Sequence, residues 1–356
     1  MPDSKVYLVV NDYQYYGWKS ISIERSIESV CGKFHCSLID TSSVINPVLA
    51  PGAECQVLIG SNILIYGYID SVDLDISSTQ VVYTISGRDK TEDIIDGCVQ
   101  LSPGTWKNQQ LFNFAGILCN KVGVNSVSDG SFTDEAATYT VEIGDTIFTA
   151  IHRPAKARGV ILLTDFLGRL KLTTPGASKA DDALQLGRNV KSMRVSVDYT
   201  NRFNKYIIRA QRTSGGGGWG SNPATITIHG EATDPNIRAS RVLVLPAEDQ
   251  VSSRLAMKRA QWEASTRNAM SETITITIPE FYQSSDRLWK ENEIVNVSGE
   301  YGQFTINSDY LITSVTYSLD NGGRLTTLTL RDKDSFKPEP IVPQKASKQK
   351  GKSKWL

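Results

Sequence analysis

The stretch IDSVDLDISSTQVVYTISGRDK, residues 69–90, is matched in outline by ITSVTYSLDNGGRLTTLTLRDK, residues 312–333. In both stretches Ser-Val is followed seventeen residues later by Arg-Asp-Lys, and the two copies lie at a constant offset of 243 residues. Apolar and polar residues alternate on either side of a central turn, which predicts a strand, a turn and a second strand in each copy. Both copies end in the same charged triplet, which supplies six anchors of the repeat: Arg88, Asp89, Lys90, Arg331, Asp332 and Lys333.

Two interpretations of this repeat remain open. Alternating strands resemble one another, so the match can arise by coincidence. Against coincidence, Cys55-Gln56-Val57 matches Val295-Asn296-Val297 further upstream, with a shift of three residues. The second interpretation is two copies of one β-barrel in one chain. Three such chains would then place six similar barrels in a ring of closed symmetry.

The periodicity of the remaining residues predicts the domain organisation. Short alternating strands separated by turn residues run to about residue 96, and strands resume after residue 175. Between them, helical spacing predicts one helix from Trp106 to Val122 and another capped by Asp145, which Pro154 should kink or shorten. The predicted fold is mainly β with an α+β insertion, and it contains two related β-barrel domains per chain. The predicted division is 1–96 for the first β-barrel domain, 97–175 for the α+β domain, 176–336 for a second β-barrel region with a helical insertion near 247–268, and 337–356 for a disordered basic tail.

The composition excludes several classes of protein. The chain has 356 residues, of which 40% are hydrophobic, with 38 Lys and Arg against 38 Asp and Glu, an ordinary globular composition. Its longest aliphatic runs have four residues, against the ~20 of a membrane-spanning helix, so we expect no membrane insertion. No signal-peptide pattern is evident, and we expect the chain to stay in the compartment where it is made. The balanced charge argues against a dedicated nucleic-acid-binding protein, and five cysteines are typical of reduced thiols.

No arrangement of catalytic residues is recognisable in the sequence. The three histidines, His35, His152 and His229, belong to no hydrolase or metalloprotease motif. Cys31, His35 and Cys36 suggest a metal, but strand alternation places Cys36 in the core, and structural zinc needs four ligands. We therefore predict no catalytic residue, no cofactor and no metal site. A pair of carboxylates brought together only by folding stays an alternative.

Two further motifs are better explained by structure than by a ligand. Asp70, Asp73 and Asp75 lack the glycine and the terminal glutamate of a calcium loop, and such a cluster is typical of a solvated strand face. The run 215–218 of four glycines has no following Lys-Ser/Thr, so it indicates a hairpin loop and not a phosphate-binding loop.

The basic tail has two interpretations. Residues 337–356 contain six lysines and one glutamate, whereas residues 1–336 contain 32 Lys and Arg against 37 Asp and Glu. One interpretation is a solvated end without a partner. The other is a tether that becomes ordered on a partner. The residues that would bind this partner are Lys345, Lys348, Lys350, Lys352, Lys354 and Trp355.

A series of short motifs follows one another in a specific order along nearly the whole chain, to about residue 336. These motifs are Tyr16-Gly17-Trp18, Ser22 to Glu28, Phe34, Tyr66 to Asp70, Ser86 to Asp96, Asp165 to Leu172, Trp262, Leu288-Trp289, Asn292 and Val295. In this order they resemble the baseplate hub proteins of contractile-tailed phages of the phage Mu type, the tail protein P group that is related to the late control protein D group.

The resemblance implies a homotrimer that assembles as a pseudo-six-fold ring. Such a hub adapts the six-fold tail tube to the three-fold central spike and is surrounded by baseplate wedge proteins. Double-stranded DNA would pass through its lumen during genome ejection without stable binding. The implied location is the tail baseplate of the virion, after synthesis and assembly in the host cytoplasm. No enzymatic activity and no cofactor are implied.

Two alternatives belong to other functional classes. A spike-type component of a contractile secretion system shares the barrel module with the hub. A cell-wall hydrolase or other carbohydrate-active enzyme would fit a β-rich fold with acidic residues, although the sequence selects no pair of carboxylates.

Overall fold

The structure is a computed structural model that describes residues 3–40, 48–100, 104–213, 225–247, 252–302 and 304–340. Its first part consists of seven strands in which buried and exposed positions alternate, as expected for a sheet with one face on the core. These strands are β1 (Val6–Val10), β2 (Tyr13–Tyr15), β3 (Ser20–Ser26), β4 (Lys33–Asp40), β5 (Glu54–Ile59), β6 (Asn62–Ile76) and β7 (Val81–Asp89).

A mixed unit of helices and short strands follows the seventh strand. Its elements are α1 (Glu92–Asp96), β8 (Thr105–Gln109), α2 (Leu111–Cys119), a 3-10 turn (Asn120–Val122), β9 (Ser126–Ser128), β10 (Ala137–Thr140), α3 (Ile147–Ala157), β11 (Ile161–Thr164) and β12 (Leu170–Thr173).

The last part returns to strands and contains one long helix. Its elements are β13 (Ser178–Lys179), β14 (Leu184–Gln185), β15 (Ser192–Val197), β16 (Lys205–Thr213), β17 (Thr225–Thr233), β18 (Val242–Pro246), α4 (Ser253–Met270), β19 (Glu272–Ile278), β20 (Glu293–Tyr301), β21 (Phe304–Asp320), β22 (Gly323–Arg331) and a 3-10 turn (Lys333–Phe336).

The two stretches of the repeat form two hairpins with the same register. In β6–β7, Val72 faces Ile85, and in β21–β22, Val315 faces Leu328 at the offset of 243. Each hairpin has an irregularity at the same place, after Ile69 and after Ile312. A β-bulge shifts the pairing by one residue, and coincidence does not reproduce it in two unrelated hairpins. The repeat is therefore a duplication of one β-unit and not a coincidence, as the interpretation of two copies of one β-barrel requires.

The equivalence extends to the neighbouring strands. Cys55 in β5 faces Gly67, as Val295 in β20 faces Tyr310, which confirms the upstream match with its shift of three residues. On the other side, β4 pairs with β7 as β19 pairs with β22, and β3 pairs with β4 as β15 pairs with β19. Both copies belong to one 14-stranded sheet with the central order β15-β19-β22-β21-β3-β4-β7-β6-β5-β1-β2.

One hydrophobic core lies under both copies. Ile85 and its equivalent Leu328 are fully buried, and so are Cys36 and its equivalent Ile276. The prediction of Cys36 as a core residue is confirmed, and all five cysteines are free thiols. No helix of the described residues is long and apolar enough to cross a membrane.

The α+β unit has a core of its own, and two local predictions for it were wrong. Trp106 lies in β8, opposite Tyr139 and against Phe114, so the helix begins only at Leu111. The cap of α3 is Thr146 and not Asp145, since the Thr146 side chain accepts the N–H of Thr149. The helix also continues past Pro154 to Ala157. The spacing of apolar residues along the sequence carries no information about a partner strand. Trp106 therefore fitted the helical pattern although it lies in a strand.

The insertion in the second copy is larger than the predicted helix near 247–268. The helix α4 begins at Ser253, and residues 248–251 lie outside the described residues. Its Ala256 and Ala260 are fully buried against β16 and β17, which form a separate three-stranded sheet with β18. Strands do resume after residue 175, as predicted, but alternation does not tell which sheet a strand joins.

Truncation of the equivalent core residues tests the duplicated packing. We expect Ile85→Ala and Leu328→Ala each to lower the free energy of unfolding by about 2–5 kcal/mol, because each leaves a cavity in a close-packed core. Chemical denaturation monitored by tryptophan fluorescence measures the change. The matched controls Thr84→Ala and Thr327→Ala lie next to them on the opposite sheet face. A loss for Leu328→Ala no larger than for its control would contradict a shared core.

Candidate assembly site at the junction of the two copies

The two copies are joined where β3 of the first pairs with β21 of the second. The antiparallel register runs from Ser26 opposite Ser314 to Ile21 opposite Leu319. On the core face of this junction Val315 and Tyr317 are buried against Ile23. The junction therefore continues the sheet from one copy to the next through main-chain hydrogen bonds and apolar side chains.

A charged side chain, Arg25 of β3, lies at this junction and contacts three other segments. Its guanidinium lies 2.8 Å from the Glu291 carboxylate, in the loop before β20 of the second copy. It also donates to the carbonyl of Leu64 at 2.6 Å, in the first copy, and to the carbonyl of Thr164, in the α+β unit. One buried cation thus links both copies and the α+β unit.

The charge of Glu291 depends on Arg25. Burial by itself would raise the pKa of the Glu291 carboxyl, but the attraction and hydrogen bond of Arg25 outweigh it and lower the pKa below its ordinary value. Removal of one charge of the pair would leave the other buried without a counter-charge. This would lower the free energy of unfolding far more than the intact pair raises it.

The anchors of the first copy surround the same region. Arg88 forms ion pairs with Asp70 at 2.8 Å, Asp96 at 2.9 Å and Glu92 at 3.2 Å, which fastens α1 to the sheet. Mainly through burial, and despite Arg88, the pKa of Glu92 is raised to about 8.

The other two anchors of the first copy have different environments. The ammonium of Lys90 lies 4.0 Å from the ring centroid of Tyr66 and 3.2 Å from Glu54. Such a cation over an aromatic face is attracted by the ring quadrupole. Asp89, by contrast, is fully buried.

The Asp89 carboxylate accepts hydrogen bonds from several segments. It accepts the N–H of Gly32 at 2.5 Å and the N–H of Thr91 at 3.0 Å, and the hydroxyl of Thr164 lies 3.2 Å away. Burial still raises the pKa of Asp89 above its ordinary value. Asp89 and Arg25 thus both contact Thr164 and attach the α+β unit to the first copy. Because these polar groups are shielded from solvent, a hydrogen bond lost here would not be replaced by one to water.

The anchors of the second copy make fewer contacts. Arg331 pairs with Glu28, and Asp332 accepts the N–H of Asp334 at 2.9 Å and so caps the last 3-10 turn. Lys333 has no ion pair with any described residue. The triplets are equivalent in sequence, but their contacts differ: Asp89 of the first contacts the α+β unit, whereas Arg331 of the second contacts the first copy.

The sequence did not indicate Arg25, Glu291 or Thr164 as site residues. A charged residue at an inward-facing position of an alternating strand is the one signal that points to Arg25, since buried charges are paired. Its partners are 266 and 139 residues away, so no local pattern could identify them.

The tail begins later than residue 337. The indole of Trp262 in α4 donates to the carbonyl of Lys337 at 2.9 Å, and Arg259 pairs with Glu339. These contacts contradict disorder from residue 337 onward. The predicted partner-binding residues from Lys345 to Trp355 lie outside the described residues.

The carboxyl groups whose pKa is raised to about 7 or 8 form ion pairs with arginines of the fold. Glu293 in β20 has its pKa raised to about 7, mainly by burial, and lies 3.0 Å from Arg287. Glu92, the other such carboxyl, pairs with Arg88. Within the described residues no cluster of His, Cys, Asp or Glu could hold a metal ion.

Glu291→Ala tests the buried pair at the junction. We expect a loss of about 3–5 kcal/mol in the free energy of unfolding at neutral pH, because Arg25 would stay buried without a counter-charge. The matched control is Glu300→Ala, an exposed glutamate near the end of the same copy's β20. Since the folded-state pKa of Glu291 is depressed, its contribution is complete above the unfolded pKa of about 4.3 and is lost as the pH falls below it. The difference from wild type, measured by urea denaturation, should therefore narrow below about pH 4. A constant difference across pH would contradict the pairing.

Three family profiles match the chain. They are described as Mu phage baseplate assembly protein GpP-like, N-terminal, over residues 5–89; baseplate hub protein gp44-like, second domain, over residues 91–174; and Mu phage baseplate assembly protein GpP, fourth domain, over residues 252–339.

Individual proteins are similar over nearly the same length. The baseplate hub protein gp44 of Escherichia phage Mu is 30% identical over 94% of this chain and 89% of its own. The 43 kDa tail protein of prophage MuSo2 from Shewanella oneidensis has a TM-score of 0.82 at 28% identity, over 95% of this chain and all of the other. The E. coli c3393 protein, a component of the type VI secretion system, shares the fold with a TM-score of 0.55 at 11% identity, over 91% of this chain and 76% of the other. The sheet that joins two copies of one unit, and the identity along almost the whole chain, establish that the chain belongs to the family of Mu-type baseplate hub proteins of the phage tail.

Proposed function

We propose that three copies of this chain form a ring at the centre of the baseplate, in which the hub adapts the six-fold tail tube to the three-fold central spike. The observation that carries the proposal is the duplicated β-unit with identical register. Two equivalent units in each of three chains present six similar surfaces on one side of an assembly that still has only three-fold symmetry. A duplicated chain is therefore suited to bind a six-fold ring and a three-fold partner together.

The same argument supports the division into domains. The first and last parts of the chain, 1–96 and 176–336, carry the two copies, and the α+β domain, 97–175, has a separate hydrophobic core that also takes in Val30, Cys31 and Ile94. The α+β domain lies outside the duplicated sheet, so it is the part that can face the wedge proteins without interrupting the ring.

The proposed role requires no bond-making chemistry. The two carboxyl groups whose pKa is raised to about 7 or 8, Glu293 and Glu92, are held by arginines within the fold. A hydrolase of the retaining or inverting type needs two carboxylates that flank an open substrate site. The function proposed here rests on subunit burial, since obligate interfaces bury more than ~2,000 Å².

A secretion-system spike component is the second candidate, and the fold shared with the c3393 protein favours it. At 11% identity that likeness concerns the fold alone, whereas the relative from phage Mu is 30% identical. The phage hub is therefore the preferred function, and the barrel module is common to both.

The charge of the chain fits a channel for double-stranded DNA. Residues 1–336 contain 32 Lys and Arg against 37 Asp and Glu. Affinity for the phosphate backbone grows with each Lys or Arg contact, so a mildly acidic body lets DNA pass without stable binding.

Oligomer formation tests the ring. Analytical ultracentrifugation of the purified protein should show a trimer, and negative-stain electron microscopy should show a ring with a central hole. The ring is expected because each copy of the β-unit needs a neighbour on both sides. A protein that is monomeric at all concentrations would contradict the proposal.

Deletion of residues 341–356 tests the tail as a tether. This truncation keeps Lys337 and Glu339 on α4, so the fold stays intact. We expect weaker co-purification with the central spike protein, because the lysines and Trp355 would be lost. The control replaces the five lysines from 345 to 354 by Gln and retains Trp355, which separates charge from the aromatic anchor. Unchanged binding by the truncated protein would show that the tail is a solvated end.

A further inference from the structure

Among the strand edges without a partner in the described residues, two occupy equivalent places in the two copies. The first is the outer edge of β15, which pairs only with β19. The second is the C-terminal half of β6, residues 70–76, which pairs with β7 on one side, while β5 on the other side ends its pairing at Tyr68. Unpaired strand edges are templates for another strand, and proteins usually block or cover them.

The repeat shows what these edges correspond to. Met193 in β15 faces Ile276 as Ile21 in β3 faces Cys36, so β15 is the second copy's β3. Likewise the C-terminal half of β6 is the first copy's equivalent of the C-terminal half of β21. In the chain itself β3 and β21 pair with each other. The two open edges are therefore the two halves of the same junction, and one chain closes that junction only once.

The register of the closed junction can be transferred to the open edges. In the closed junction Ser314 faces Ser26 and Leu319 faces Ile21. The equivalent pairs are Ser71 with Asp198, Val72 with Val197, Asp73 with Ser196, Leu74 with Val195, Asp75 with Arg194, and Ile76 with Met193.

Burial at equivalent positions supports this pairing. In the closed junction Val315 and Tyr317 are 0% and 2% exposed. On the open edge Val72, the equivalent of Val315, is partly buried, whereas Leu74, the equivalent of Tyr317, is 40% exposed, and the following apolar residue of the same face, Ile76, is 65% exposed. Val197 on β15 is 55% exposed. In the transferred register Leu74 faces Val195, Ile76 faces Met193, and Val197 faces Val72, so each exposed residue lies opposite a partly buried one, and pairing would bury it.

Charge on the other face supports the same register. The β6 edge carries Asp73 and Asp75, and the β15 edge carries Arg194. The transferred register places Arg194 directly opposite Asp75 and diagonal to Asp73, at the distances where opposite charges in a sheet attract. None of these three side chains forms an ion pair within the part of the chain that the structure describes.

We propose that β15 of one subunit pairs antiparallel with residues 71–76 of β6 in a neighbouring subunit, with Asp75 opposite Arg194. The occupant of each open edge is thus another copy of the same chain. The contact is head-to-tail and repeats the internal junction between β3 and β21. Successive subunits would therefore continue one sheet around a closed ring. This inference rests on the proposed ring and names the surface that closes it.

Cysteine cross-linking tests the register. In a Cys98→Ser background, which removes the exposed native thiol, Asp75→Cys is combined with Arg194→Cys. Directly opposite residues lie within the range of a disulfide, so mild oxidation should give covalently linked trimers on a non-reducing gel. The control pair Asp73→Cys with Ser192→Cys lies on the same two edges and the same face but four residues out of register, and it should remain unlinked. A trimer whose Asp75→Cys/Arg194→Cys variant forms no cross-link would overturn the pairing.

Charge reversal tests the energetic role of the same pair. Asp75→Arg places two like charges opposite each other and should cause loss of the trimer in sedimentation, while adding Arg194→Asp should restore it. Glu135→Arg, the same change on an exposed loop, should leave the trimer intact, and a thermal melt checks that every variant is folded. If Asp75→Arg remains trimeric, the pairing is wrong although the ring stands. If the wild-type protein is monomeric, both are wrong.

Discussion

The buried charge of Arg25 is the constraint on which the arrangement of the chain depends. A guanidinium in the protein interior must satisfy its donors or lose several kcal/mol. Arg25 does so with Glu291 of the second copy, the Leu64 carbonyl of the first and the Thr164 carbonyl of the α+β unit. If these three units separated, Arg25 would lose its hydrogen-bond partners or become exposed to water. Arg25 therefore holds the three units together, although the sequence is modular.

The duplicated unit explains both the internal architecture and the assembly of the hub. Because the registers of β6–β7 and β21–β22 are identical, each copy has the same two edges for pairing with a neighbour. One is the outer edge of β3 or its equivalent β15, and the other is the C-terminal half of β6 or its equivalent β21. The chain uses one pair of edges internally, between β3 and β21, whereas the equivalent pair has no partner among the residues that the structure describes. The copies have diverged where their neighbours differ. Val197 occupies the position of Arg25. Asp89 is buried against Thr164, whereas its equivalent Asp332 only caps a turn.

The parts that could be predicted are those governed by local periodicity. Strand alternation identified the repeat, the core position of Cys36 and the return to strands after residue 175, because side chains of a strand point alternately to its two faces. It failed at Trp106 and at the boundary of α4, where a strand partner or a separate sheet decides the outcome. It also assigned Lys337 and Glu339 to a disordered tail, because their contacts with α4 are made by residues distant in the chain.

By itself the sequence determined that one β-unit occurs twice, with charged triplets at equivalent ends, and that the chain resembles Mu-type hubs. Only the tertiary structure decided which edges are used and which remain open, because the partner of a strand edge depends on contacts hundreds of residues apart. The same holds for the site. Asp70, Asp73 and Asp75 looked like one solvated face. In the fold, Asp70 pairs with Arg88, while the other two lie on an unpaired edge whose counterpart, β15, carries the opposite charge.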